Sequence, residues 1–294
     1  MKDRMPMKQR RTRRQFLHET AALAAAAVAS TGGAGKAAET PSGKMPMIQL
    51  GELKVSRVFL GSNPFFGFAH GNPQASAAEM REWYSEERIM AVLDEAAELG
   101  INAVWTPCYE HWIRLWNTYR QRGGKLEHWI AQPDRQPMDK EILAAVKNGT
   151  SAVCIQGVNI DKAVRDGRWD AVRGWLEQIK SHGLPAGMAT HRATTHLEAE
   201  DRRLPTDFYH QTMYRPDNYV KEGLEESLAT IARLQKPVVG YKVLGAGRIK
   251  PAETLPYVFE RLKRKDGLCI GVFPKTNPRQ THENVALVQS CTKD

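Results

Sequence analysis

Lys242, His191, His210 and Tyr109 are the side chains of this sequence whose type and setting suit proton transfer. Lys242 stands inside the apolar run Val238-Val239-Gly240-Tyr241-Lys242-Val243-Leu244, and Gly245-Ala246-Gly247 follows it. A charge in such a run is costly unless it reaches solvent, a ligand or a partner. The glycines beyond it let the backbone approach a ligand closely. His191 follows the apolar stretch Ala186–Thr190, and His210 sits within Phe208–Met213. Imidazole changes charge near neutral pH, and lysine or tyrosine does so once its surroundings tune it. The four residues could therefore act as general acids and bases. Gln132 and Gln156, at the ends of two further apolar runs, can orient a ligand but carry no proton.

Eight apolar runs must position these groups. They read as strands over Val58–Ser62, Ala103–Thr106, Trp129–Gln132, Ala152–Gln156, Ala186–His191, Phe208–Met213, Val238–Leu244 and Leu268–Phe273. Between them lie segments of helical period, at Glu86–Leu99, Asp139–Lys147, Arg168–Ser181, Asn218–Leu234 and Ala252–Lys263. In Glu86–Leu99 the residues Ile89, Val92, Leu93, Ala96 and Ala97 share one face, and Gly100 ends it as a C-cap. Strands alternating with helices predict an α/β fold, a single-domain (β/α)8 TIM barrel. A doubly wound open sheet is the other arrangement of such a pattern, but no GxGxxG follows the first strand. Either fold gathers its ligands at the C-terminal strand ends. The longest insertions, Gly67–Trp83 and Thr194–Thr206, are expected to act as lids.

The chain has 294 residues and a net charge of +9, of which residues 1–38 carry +6, with eight basic residues against two acidic ones. The remaining +3 gives no basic stripe, so nucleic acid is not an expected partner. Thr12-Arg13-Arg14-Gln15-Phe16-Leu17 precedes an alanine-rich run from Ala21 to Ala29, the pattern of a twin-arginine signal peptide. The run is too short for a stable membrane span. Residues 1–38 are thus expected to be signal and linker, residues 39–294 the barrel, and the mature protein periplasmic after passage through the twin-arginine export machinery. Replacing Arg13 and Arg14 with lysines should hold the protein in the cytoplasm, as cell fractionation would show; continued export of that variant overturns the reading. Cys108, Cys154, Cys269 and Cys291 are scattered without CxxC spacing and read as core residues. No HxH or HxxxH pair supports a metal site, and none is assigned.

Gly51-Glu52-Leu53-Lys54-Val55-Ser56-Arg57-Val58-Phe59-Leu60-Gly61 resembles the first strand of the aldo-keto reductase superfamily, and Gly100-Ile101-Asn102-Ala103-Val104-Trp105-Thr106 resembles its "GINxxDT" strand. Phe273-Pro274-Lys275-Thr276-Asn277, with Glu283-Asn284, resembles the closing segment that holds the phosphates of NADP. The resemblance implies a divergent NADP-dependent oxidoreductase acting on a small carbonyl or sugar-like substrate. It implies a cofactor held by Lys275, Thr276, Asn277, Asn284, Gln156, Gly245 and Gly247. The family's proton-donating residues do not carry over. Its Asp position reads Trp105, its Tyr position Glu110 with Tyr109 adjacent, its Lys position Gln132 and its His position Gln156. Two other readings therefore stand beside the first. One is a non-redox barrel enzyme, a lyase, isomerase or hydrolase, using Lys242, His191 and His210; the other is an inactive barrel that binds a small molecule.

Overall fold

The computed structural model describes residues 44–214 and 219–292; the signal segment read from the sequence lies outside them. An antiparallel hairpin comes first, β1 (Met47–Leu50) and β2 (Leu53–Ser56), turning at Gly51 with φ 57°. Eight parallel strands follow: β3 (Val58–Gly61), β4 (Ala103–Pro107), β5 (His128–Gln132), β6 (Ala152–Ile155), β7 (Ala186–Thr190), β8 (Phe208–Thr212), β9 (Val238–Tyr241) and β10 (Gly267–Gly271). They pair in sequence order, and β10 closes on β3 to complete the barrel. The eight strands expected from the apolar runs are all present, so the chain is a (β/α)8 TIM barrel. Most of their residues are buried, because a parallel sheet covered by helices hides both faces.

The helices are α1 (Ala77–Trp83), α2 (Glu86–Glu98), α3 (Glu110–Gln121), α4 (Met138–Lys147), α5 (Gly157–Arg165), α6 (Trp169–Ser181), α7 (Thr195–Asp201), α8 (Lys221–Arg233), α9 (Pro251–Arg261) and α10 (Gln280–Cys291). Short 3-10 turns occupy Asn63–Phe66 and Gly245–Gly247. The sequence reading assigned no helix to α1, α3, α5, α7 or α10, the first and fourth of these lying in the two insertions expected as lids. The apolar stripe of α10 is weak, whereas α3 and α5 each carry a clear one that the sequence reading passed over. The aromatic side of α3, with Trp112, Leu115, Trp116 and Tyr119 buried, meets Trp129 of β5. Burying side chains of that size contributes about 1.5–3 kcal/mol each.

Two apolar layers result. The outer one lies between strands and helices, and the inner one fills the barrel. Ile48, Leu50 and Val55 of the hairpin join Phe59, Ile130 and Phe208 in the inner layer, so the hairpin plugs the N-terminal end. The interior alternates small and large groups. A Cβ on Gly187 would lie 2.5 Å from the Phe208 ring, so only glycine admits that ring. With one end plugged, ligand access is through the C-terminal strand ends.

Candidate active site

A cavity of about 960 Å3 opens at the C-terminal end of the barrel. Its floor is formed by Trp105, Tyr241 and Cys269, which rise from the inner core. Its walls are residues just beyond the strand ends, among them Asn63, Tyr109, Gln132, Gln156, His191 and Lys242. The arrangement follows from strand polarity: every parallel strand delivers its following loop to the same face.

One wall carries a fixed acid–base pair. His191 is the first residue past β7, and its Nδ1 lies 2.8 Å from Asp161 Oδ2. The backbone N–H of His191 donates to the same oxygen at 3.2 Å, and Thr190 Oγ1 donates to Asp161 Oδ1 at 2.5 Å. Burial alone would raise the Asp161 pKa. The hydrogen bonds from His191 and Thr190 outweigh it, and the carboxyl titrates below its ordinary range. An ionised Asp161 holds the imidazole proton on Nδ1, which leaves Nε2 as the nitrogen for proton exchange. The ring packs on the start of α5, where a Cβ on Gly157 would come within 3.1 Å of it and 3.2 Å of Tyr241 Oη. Tyr241 Oη in turn donates to the Thr190 carbonyl at 2.9 Å. Asp161 escaped the sequence reading because it lies on α5, whose helical period went unrecognised.

Lys242 and His70 border the same cavity. Lys242 was expected inside a strand, but β9 stops at Tyr241 and Lys242 turns out of it with φ 60°. His70 stands in the Gly67–Trp83 insertion, also left-handed at φ 47°. Loss of water around its ring, then the charges of Lys242, His191 and Arg248, hold His70 down to about 4. Neutral His70 Nε2 lies 3.1 Å from Asn63 Nδ2, which donates to it. Arg248 fastens this insertion over the cavity: its Nη2 donates to the carbonyls of His70 (3.1 Å) and Gly71 (2.8 Å), and its Nη1 to that of Gly245 (2.9 Å). Gln74 Nε2 adds a bond to the Gly247 carbonyl at 3.2 Å. The insertion is thus a strap across the mouth. The other expected lid, Thr194–Thr206, is not one: it contributes nothing to the cavity wall, and its Thr195, His196, Ala199 and Leu204 are buried against the barrel.

His210 must be corrected. Its side chain points into the barrel below Trp105, with ring centroids 4.2 Å apart, and it is wholly buried with both ring nitrogens unpartnered. It therefore meets neither Lys242 nor a ligand, because strand alternation sends residue 210 into the core one layer below the cavity. Tyr109 does border the cavity, but its hydroxyl donates to Asp134 Oδ2 at 2.7 Å. Burial and that carboxylate hold the phenol above its ordinary pKa, which makes it a poor proton donor. Glu110, at the family's tyrosine position, points outward and pairs with Arg114 at 2.9 Å. Gln132 and Gln156 both line the cavity, and Asn159 Nδ2 donates to Gln156 Oε1 at 3.0 Å.

A crevice runs from this centre between the 3-10 turn at Gly245–Gly247 and the start of α10, lined by Thr276, Asn277 and Asn284. Thr276 Oγ1 donates to the Phe273 carbonyl at 2.9 Å, and Asn277 Nδ2 to Glu283 Oε2 at 2.7 Å. Asn284 is buried, yet both its amide atoms lack a partner within the protein. A buried unpaired amide is destabilising, and a ligand's hydroxyl or ring nitrogen would satisfy it. Lys275 differs from its expected place: it is exposed and outside the cavity wall, because the loop turns it toward Glu79. Among the described residues no three metal-ligating side chains gather in one place, and no helix is long and apolar enough to cross a membrane.

No model of a known protein family matches the chain, and no curated protein matches it in sequence. Solved structures do match in fold. The apoform of Gox0644 superposes with a TM-score of 0.52 at 12% identity, covering 83% of this chain and 88% of that one. Mandelate oxidase with (S)-2-phenylpropionate gives a TM-score of 0.50 at 11% identity, covering 85% and 78%. QR15, an aldolase, gives 0.47 at 16% identity, covering 70% and 88%. At such identities the likeness to the first two establishes one thing, that the chain shares their barrel architecture.

Proposed function

We propose that this chain is a barrel enzyme in which His191, oriented by Asp161, exchanges a proton with a small polar substrate, and that a nicotinamide dinucleotide in the adjoining crevice makes the reaction an oxidoreduction. One observation carries the reading: His191, held by Asp161, and Asn284, whose buried amide has no protein partner, border one continuous cavity. The likeness of the terminal segments to aldo-keto reductases supports the choice of cofactor. Gly247, Thr276, Asn277 and Asn284 would hold it; Gly245, which is buried, and Lys275, which is exposed, both lie outside the cavity wall. When bound, the nicotinamide supplies a hydride acceptor or donor. His191 Nε2 accepts the proton of a substrate hydroxyl, or returns one to a carbonyl oxygen, while Asp161 stabilises the imidazolium. Gln132 and Gln156 orient the substrate, and the strap excludes water. Trp105, Gln132 and Gln156 replace ionisable groups of the resembled family, so the proton task falls to His191 and Asp161.

Calorimetric titration tests this. NADPH or NADH should bind in the micromolar range, and Asn284→Leu should weaken binding by about 1 kcal/mol through one lost hydrogen bond. The ligand-free variant should be no less stable than the parent, because an unpartnered buried amide has gone. FMN is titrated alongside. If none of the three binds, the cofactor reading fails, and the non-redox reading remains. That second reading is favoured by the position of Lys275 outside the cavity and by a proton-transfer pair that is complete without a cofactor.

A further inference from the structure

We propose that the substrate is a small anion, bearing a carboxylate or phosphate that Lys242 and His70 grip in the cavity that His191 also borders. The assignment rests on the reading of this cavity as the active site and names the substrate class it takes.

Three segments far apart in sequence bring nitrogen-bearing side chains to one space: the strap brings His70, the end of β7 brings His191, and the end of β9 brings Lys242. Their fields overlap, since Lys242, His191 and Arg248 all act on the His70 ring. An anion entering between Lys242 and His70 would meet charge-assisted donors from both.

The backbone gives an independent reason. Among the described residues only four that are not glycine adopt the left-handed conformation: His70, Lys242, Ala246 and Arg203. The first three border this cavity. Such a conformation costs about 1–3 kcal/mol for a residue with a side chain, and it persists where that side chain has a task. The chain elsewhere uses glycine at its sharp turns, as at Gly67, Gly71, Gly245 and Gly247. At 70 and 242 it keeps an imidazole and an ammonium instead. The two strained positions therefore carry an ammonium and a neutral imidazole whose Nδ1–H is the ring's donor, since Nε2 accepts from Asn63. A 2-hydroxy or 2-oxo acid suits this set of groups: its carboxylate would meet Lys242 and His70, and its neighbouring carbon–oxygen bond would lie in the same cavity, where His191 exchanges the proton.

Titration of the purified protein with oxalate, monitored by calorimetry and by the ring resonances of His191 and His70, tests the assignment. Oxamide, the uncharged diamide of the same shape, is the control. Oxalate should bind and shift both rings, and oxamide should not. Lys242→Met and His70→Gln should each weaken oxalate roughly ten- to a hundredfold, as loss of a charge-assisted hydrogen bond does. Lys242→Gln supplies the measurement if the methionine variant fails to fold. Equal binding of oxalate and oxamide, no binding of either, or unchanged affinity in both single variants overturns the proposal. Pyrophosphate and ADP-ribose separate the sources of the anion: if they bind through Lys242 and oxalate does not, the grip belongs to a cofactor phosphate and the substrate assignment falls. Oxalate binding without any nucleotide binding would sink the cofactor reading alone; nucleotide binding without oxalate would sink this one alone.

Discussion

Asp161→Asn should lower kcat by roughly a hundred- to ten-thousandfold while leaving KM and nucleotide affinity within a few-fold, the loss expected when a general base is deprived of its orienting partner. The substitution keeps the size of the side chain and can still meet Thr190. It removes the charge that fixes the proton on His191 Nδ1, 2.8 Å away. An asparagine there presents either an oxygen or an NH2 to the ring, and in the second case Nε2 becomes the protonated nitrogen and can no longer accept. His191→Gln should be as damaging, and the double variant should be little worse than either single one, because the two residues act as a unit. Steady-state kinetics of the four proteins, with thermal melts to confirm folding, decides the matter. Additive losses, or an Asp161→Asn protein with full turnover, would show that the pair is structural.

Acid should destabilise the barrel in a way that two buried histidines dictate. Burial holds His196 down to about 4; burial, with His196 nearby, holds His210 down to about 3. Both stay neutral in the fold, where His196 stacks on Tyr209 and its Nε2 lies 3.1 Å from the His210 carbonyl. In the unfolded chain each takes a proton near 6.5. Below that pH the unfolded state binds more protons than the native state, so stability is full above about pH 6.5 and falls as the pH drops toward the folded values. The two together should steepen the loss by up to about 2.7 kcal/mol per pH unit. His210→Leu should remove about half of that slope. Urea unfolding between pH 4.5 and 7.5 measures it. A variant with the parent's slope would mean that His210 is already protonated in the folded barrel. His70, His111 and His128 are also shifted downward, so some slope must remain in the variant.

The barrel was legible because its signal is repeated. Each of β3–β10 is an apolar run, and most runs are separated by a helical pattern, so an error in one element does not alter the count. The missed hairpin is instructive: Met47–Leu50 alternates exposed and buried residues and Leu53–Ser56 ends in two buried ones, but nothing local says that their apolar side will enter the barrel end. The strap was legible as an over-long insertion, and the Thr194–Thr206 segment looked the same. Length alone could not tell a segment covering the cavity from one packed on the barrel's flank.

Residue type and strand-end position identified Lys242, His191 and the glycines after β9, because a parallel barrel must send its strand ends to one face. Three facts needed the tertiary structure. Residue 210 faces the core one layer beneath the cavity, since the direction of a side chain on a strand depends on register within a closed sheet. Asp161 reaches His191 from a helix thirty positions earlier in the chain. His70 joins Lys242 only because Arg248 fastens the strap. The sequence sets which groups lie near the active face, through period and chain direction. Which of them meet is decided by the barrel's shear and by long-range hydrogen bonds, and neither leaves a local trace in the order of the residues.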